Sequence, residues 1–117
     1  MLQINYRGSG GYGLRFEKSG YKRWGLEMQD DLTDGVRWAI GNGFADPERI
    51  CISGASYGGY ATMAGLTKTP ELYKWGINYV GVVDLPMLYR QWTEEYNIAG
   101  LRGGRQNWAL VALGSPR

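Results

Sequence analysis

One stretch limits the architecture of this chain more than any other. An apolar, β-branched segment, RICIS (49–53), runs through Gly54-Ala55-Ser56-Tyr57-Gly58 into YGGYATMAGL (57–66), a run of small residues suited to a helix. The five central residues fit G-x-S-x-G, the pattern of a sharp strand-to-helix turn with an exposed serine at its apex. In that reading Gly54, Gly58 and Gly59 are the structural glycines of the elbow, removing side chains that would collide with the strand or the helix. A strand that passes directly into a helix returns to its sheet by a crossover, which implies parallel neighbours.

The rest of the chain agrees with that implication. Residues 2–6 alternate apolar and polar like a strand, and RGSGGYG (7–13) is a glycine-dense loop. Residues 25–40 place Leu26, Met28, Leu32, Val36, Ala39 and Ile40 near helical spacing, with acids toward the N-terminal half and Gly41 and Gly43 at the end. DPER (46–49) reads as a turn, residues 77–84 as a continuous apolar strand, and residues from 85 onward as a helix with Pro86 in its first turn. The alternation predicts an α/β fold with a mainly parallel sheet and crossover helices. Ligands of such sheets bind beyond the carboxyl ends of the strands, where Ser56 lies.

Composition sets limits. In 117 residues, 44% hydrophobic and 14% aromatic, there is material for one small globular core. Thirteen basic and eleven acidic residues give a net charge of +2, spread along the chain, which argues against nucleic-acid or membrane-surface binding. No apolar stretch approaches the roughly 20 residues needed to span a bilayer, and the N-terminus lacks the layout of a signal peptide. Cys51 stands alone in an apolar run, so it is expected to be buried, with no disulfide or cysteine metal cluster. Nothing implies a metal or a cofactor. The glycine loop does not satisfy G-x-G-x-x-G with a following long helix and a distant acid.

The chemistry in this pattern is nucleophilic. Ser56 is the candidate nucleophile, and the backbone N–H of Tyr57, at the helix N-terminus, is the candidate oxyanion donor. One such donor contributes about 3 to 4 kcal/mol in the transition state. A serine hydroxyl needs an adjacent base, however, and the chain has no histidine. Lys68 and Lys74 are the alternatives, each at or beyond the end of the elbow helix. Asp84 ends the later strand on the side of Ser56 and reads first as a helix cap, second as a catalytic acid. Leu88, Trp92 and Tyr96 recur every four residues and form one stripe, either core packing or a substrate wall.

Four strings carry a family resemblance: NYRGSGGYG (5–13), DDLTDGVRW (30–38), GFADPERI (43–50) and GASYGGYAT (54–62). Over residues 2–96 the chain resembles the catalytic domain of the prolyl oligopeptidase family of serine peptidases, in particular its acylaminoacyl-peptidase-like and dipeptidyl-peptidase-IV-like members. The resemblance implies a partial α/β-hydrolase fold, and hydrolysis of short peptides through an acyl-enzyme on Ser56. It also implies a substrate-binding role for Trp92, Tyr96 and Leu88. Residues 1–117 then correspond to the nucleophile-bearing middle of a domain about twice as long, without the β-propeller and without the Asp- and His-bearing part that such enzymes carry. The expected partners are a peptide or small ester substrate, and either the missing parts of the catalytic domain or another copy of the chain, because the family's sheet has a strand between residues 2–6 and 49–53. An esterase of the same fold, an acyl-transferase and a non-catalytic interaction module stand as alternatives.

Overall fold

The computed structural model describes residues 1–95. The elements are α1 (Leu14–Lys18), α2 (Glu27–Gly41), β1 (Cys51–Ala55), α3 (Tyr57–Lys68), β2 (Trp75–Tyr79) and α4 (Leu85–Glu95), with short 3₁₀ turns at Pro47–Arg49 and Pro70–Leu72. β1 and β2 pair in parallel, Cys51 opposite Trp75 and Ala55 opposite Tyr79, with α3 as the crossover.

Local chemistry sets most boundaries. α2 cannot begin at Gly25, which sits at φ 67, and starts at Glu27 instead, with Glu27 and Asp30 in its first turn favouring the helix dipole. Its end is a Schellman motif. Gly43 at φ 73 donates its N–H to Ile40 O (3.0 Å), Phe44 donates to Ala39 O (2.9 Å), and the Phe44 ring meets Trp38 at 5.4 Å. The DPER turn is held by Asp46, whose Oδ1 accepts from Glu48 N–H (2.9 Å) and whose Oδ2 accepts from Arg49 Nε (2.8 Å). Asp84 caps α4: its Oδ1 accepts from Met87 N–H (2.8 Å) and its carbonyl from Leu88 N–H (3.0 Å).

The core lies between α2, α3 and the loop that precedes α2. Trp24, Met28, Tyr57 and Ala61 form its buried centre, with Tyr6, Leu32, Tyr60, Val82, Leu85 and Leu88 packed around it. Gln29, also buried, donates from Nε2 to Ala61 O (3.1 Å) and ties α2 to α3.

Three expectations are corrected. Residues 2–6 form no strand, because no described strand pairs with them; instead Ile4 fills the space over Gly35 and Tyr6 packs at a tilt against Tyr57 with ring centroids 5.2 Å apart. The two strands sit at 51–55 and 75–79 rather than 49–53 and 77–84, and β2 stops where Val80 takes φ 46. Cys51 is exposed. β1 turns Ile52 and Gly54 toward α3, while Cys51, Ser53 and Ala55 face the side that no described helix covers. An apolar flank identifies a strand but not which of its two faces is covered.

Arg7 anchors the glycine loop to α2 with a bidentate ion pair to Asp31, Nε to Oδ2 at 2.7 Å and Nη2 to Oδ1 at 2.6 Å, and its backbone N–H adds a third bond at 2.9 Å. These hydrogen bonds, the guanidinium first, hold the Asp31 carboxyl below its ordinary pKa. A depressed carboxylate contributes stability above its unfolded pKa, near 3.9, and that contribution disappears as pH falls through the folded value. Asp31→Asn should therefore lower the urea midpoint at pH 7, and the gap to wild type should close as the pH drops below about 4. A gap that is constant with pH would show that the pair does not act through its charge.

Candidate active site

Ser56 is the single residue between β1 and α3, at φ 54 and ψ −117. A non-glycine residue at positive φ costs about 1 to 3 kcal/mol and persists only where the surroundings hold it. Three backbone bonds do so. The Ser56 N–H donates to Tyr79 O (3.1 Å), extending the β1–β2 ladder by one residue, and the Ser56 carbonyl accepts from Gly59 N–H (3.0 Å) and Tyr60 N–H (3.2 Å). Ser56 stands at the N-cap position of α3, but it is exposed and its side chain makes no capping hydrogen bond.

The glycines divide the work differently from the expectation. A Cβ on Gly54 would lie 2.4 Å from the carbonyl carbon and oxygen of Gly58, and one on Gly59 would lie 2.4 Å from Gly81 Cα. Both are backbone collisions, so strand and helix touch through Gly54, and helix and the post-β2 turn touch through Gly59. Gly58 itself has nothing within 4 Å of a built Cβ. Its backbone is the surface on which Gly54 rests, and its own lack of a side chain is not a packing requirement.

The first N–H groups of α3, those of Tyr57 and Gly58, lie in the turn where helix geometry supplies no intrahelical acceptor. They surround the position above Ser56 with partial positive charge. The Tyr57 side chain points the other way. It is 3% exposed and packs against Trp24 edge-on at 4.6 Å and Tyr60 at 5.8 Å. Burial, then the neighbouring Tyr6, raises its phenol pKa far above the ordinary value, so it stays protonated. Tyr57 thus offers its backbone to the site and its ring to the core.

Neither lysine reaches the serine. Lys68 closes α3, roughly 17 Å along the helix axis from Tyr57, and its Nζ donates to Gly25 O. Lys74 pairs with Glu48 at 2.8 Å. Asp84 is engaged as the α4 cap, in keeping with its first reading. Of the stripe, Leu88 is half-buried against the core; Trp92 lies on α4 at the same register one turn on, and its side chain and all of Tyr96 fall outside the described residues. An open cavity of about 380 Å³ runs along α3 between Trp24, Tyr60, Met63, Ala64, Lys68 and Val83, away from Ser56. Among the described residues no cluster of His, Cys, Asp and Glu could hold a metal, and no helix is long and apolar enough to cross a membrane.

Sequence reasoning missed the contribution of residues 78–81. Asn78 is exposed, and its Oδ1 accepts from Gly81 N–H (2.9 Å), while Tyr79 supplies the carbonyl that holds Ser56. The available signal was an asparagine and a glycine inside an otherwise apolar run.

The chain is similar to known proteins. Residues 1–108 match the prolyl oligopeptidase family. Dipeptidyl aminopeptidase BIII of Pseudoxanthomonas mexicana is 43% identical over 88 residues, 75% of this chain and 13% of that protein. Dipeptidyl peptidase family member 6 of Caenorhabditis elegans is 40% identical over 85 residues, 73% of this chain and 12% of that protein. The structure of a puromycin-hydrolyzing peptidase of Mycobacterium tuberculosis superposes with a TM-score of 0.71 at 31% identity, over 80% of this chain and 14% of that one. The chain thus spans a small part of each relative's length, and its α/β architecture is part of the α/β-hydrolase fold.

Proposed function

The chain belongs to the prolyl oligopeptidase family, and from that premise we propose that it carries the nucleophile of a serine peptidase acting on short peptides. The observation that supports this reading is the exposed, uncapped hydroxyl of Ser56 held at positive φ beside the first N–H groups of α3. In the reaction the hydroxyl proton passes to a base as Oγ bonds to the scissile carbonyl carbon. Negative charge moves onto the carbonyl oxygen, where the Tyr57 N–H receives it. Collapse expels the amine and leaves an acyl group on Ser56, which water removes.

With no histidine in 117 residues and both candidate lysines engaged elsewhere, we assign the base to further parts of a catalytic domain, since a second copy of this sequence would carry no histidine either. Alone, the chain is expected to be inactive or weakly active. The stripe of Leu88, Trp92 and Tyr96 is assigned to the substrate side chain that precedes the scissile bond. A non-catalytic interaction module is the second reading, favoured by the same missing base. An esterase would use the same groups.

Free imidazole separates these readings by supplying the base in solution. A fluorophosphonate probe, followed by peptide mapping, should give an adduct on Ser56 whose rate rises with imidazole concentration, the proton going to imidazole as fluoride leaves. Absence of an adduct at every imidazole concentration, or its appearance on another hydroxyl such as Ser53, would overturn the assignment of Ser56.

A further inference from the structure

We infer that Asn78 is a positioning residue for Ser56, acting through the turn of residues 78–81; the inference rests on the nucleophile assignment above. The turn grips Ser56 at two points. From one side the Tyr79 carbonyl accepts the Ser56 N–H at 3.1 Å. From the other, Gly81 lies backbone against backbone on Gly59, so closely that a Cβ on Gly81 would come within 2.7 Å of Gly59 C. The Gly59 N–H in turn donates to Ser56 O (3.0 Å). Both grips require the chain to bend sharply between Tyr79 and Gly81.

That bend is held against resistance. Val80, between the two grips, sits at φ 46, a conformation that a β-branched residue adopts only under constraint. Asn78 supplies the constraint: its Oδ1 accepts the Gly81 N–H at 2.9 Å and closes the turn across Val80. The same oxygen would lie 2.5 Å from a Cβ on Gly59, which places it at the contact between turn and elbow helix. Without that acceptor Val80 relaxes toward negative φ, the Tyr79 carbonyl rotates, and Ser56 loses the bond on its N–H. The hydroxyl is then no longer presented at one angle to the α3 amides.

Amide hydrogen exchange at Ser56, followed by NMR, reads the device without relying on activity. Asn78→Ala should speed exchange of the Ser56 amide at least tenfold while the amides of α2 are unchanged, and Asn78→Asp, which keeps an acceptor oxygen, should restore protection. In the imidazole-dependent labelling assay Asn78→Ala should slow the maximal rate about tenfold with the half-saturating probe concentration unchanged, and Asn78→Asp should recover it. Equal exchange in wild type and Asn78→Ala, or no difference between Asn78→Ala and Asn78→Asp, overturns the inference. If Asn78→Ala unfolds throughout, Asn78→Ala combined with Val80→Gly decides: glycine takes φ 46 without strain, so Ser56 protection should return, and its failure to return counts against the inference. Wild-type protein that shows the exchange pattern but never labels sinks the nucleophile assignment and leaves the role of Asn78 in shaping the elbow standing.

Discussion

Ser56→Ala is expected to remove the fluorophosphonate adduct completely while leaving folding stability where it was. The first half follows from chemistry, since alanine has no oxygen to form the covalent bond, and nucleophile replacement in serine hydrolases costs on the order of a millionfold in kcat. The second half is particular to this molecule. The hydroxyl is exposed and accepts no capping bond, so nothing in the fold depends on it. Serine and alanine share the burden of φ 54, whereas Ser56→Gly removes it. Release of about 1 to 3 kcal/mol of strain, set against glycine's roughly 0.5 to 1 kcal/mol entropic cost, should leave Ser56→Gly about 1 kcal/mol more stable than wild type. Urea denaturation of the three proteins checks the ordering. If Ser56→Ala were clearly less stable than wild type, the side chain would have a structural task that the geometry does not show.

Gly54→Ala carries the largest expected loss of stability, about 3 kcal/mol, at the upper end of what overpacking costs. Its Cβ would stand 2.4 Å from the backbone of Gly58, and a backbone cannot rotate aside as a side-chain tip can. Relief requires α3 to move off β1, which takes Ser56 with it, so labelling should fall together with the unfolding midpoint. Gly58→Ala is the matched comparison from the same motif. With nothing within 4 Å of its Cβ and a position in the first turn of α3, it should hold stability or add up to about 1 kcal/mol through helix propensity. Equal damage from the two substitutions would mean that the glycines serve chain flexibility rather than close approach.

The same contrast explains what could be read in advance about this site. Gly54 and Gly58 look alike in a five-residue motif, and local pattern alone assigns both to clash avoidance. The difference between them, and the need for a glycine at position 59, depend on what lies opposite: Gly58 backbone under Gly54, and the Gly81 turn over Gly59. Asn78 escaped notice for that reason. In the chain it is one polar residue in an apolar run, and only the parallel register of β2 beside β1 sets its oxygen against the elbow helix.

Residues 2–6 and Cys51 show the limit from the other direction. Alternation and β-branching express a local preference, but a strand exists only when another backbone completes its hydrogen bonds, and burial exists only when another element covers the face. By itself the order of residues determined the parts governed by short-range physics: the strand–serine–helix turn, the acid-first α2 with its glycine exit, the Asp46 turn and the Asp84 cap. The last three are settled by dihedral preference or by hydrogen bonds spanning a few residues, while the turn at Ser56 is marked by its glycine spacing but held at φ 54 partly by the Tyr79 carbonyl. Tertiary structure decided which face of β1 is covered, where β2 ends, which glycines must be glycine and which carbonyl holds the nucleophile's amide. Several of those depend on contacts between segments more than twenty residues apart, Ser56 with Tyr79 and Gly59 with Gly81, and even the approach of Gly54 to Gly58 exists only once strand and helix have folded onto each other, where steric exclusion and pairing act.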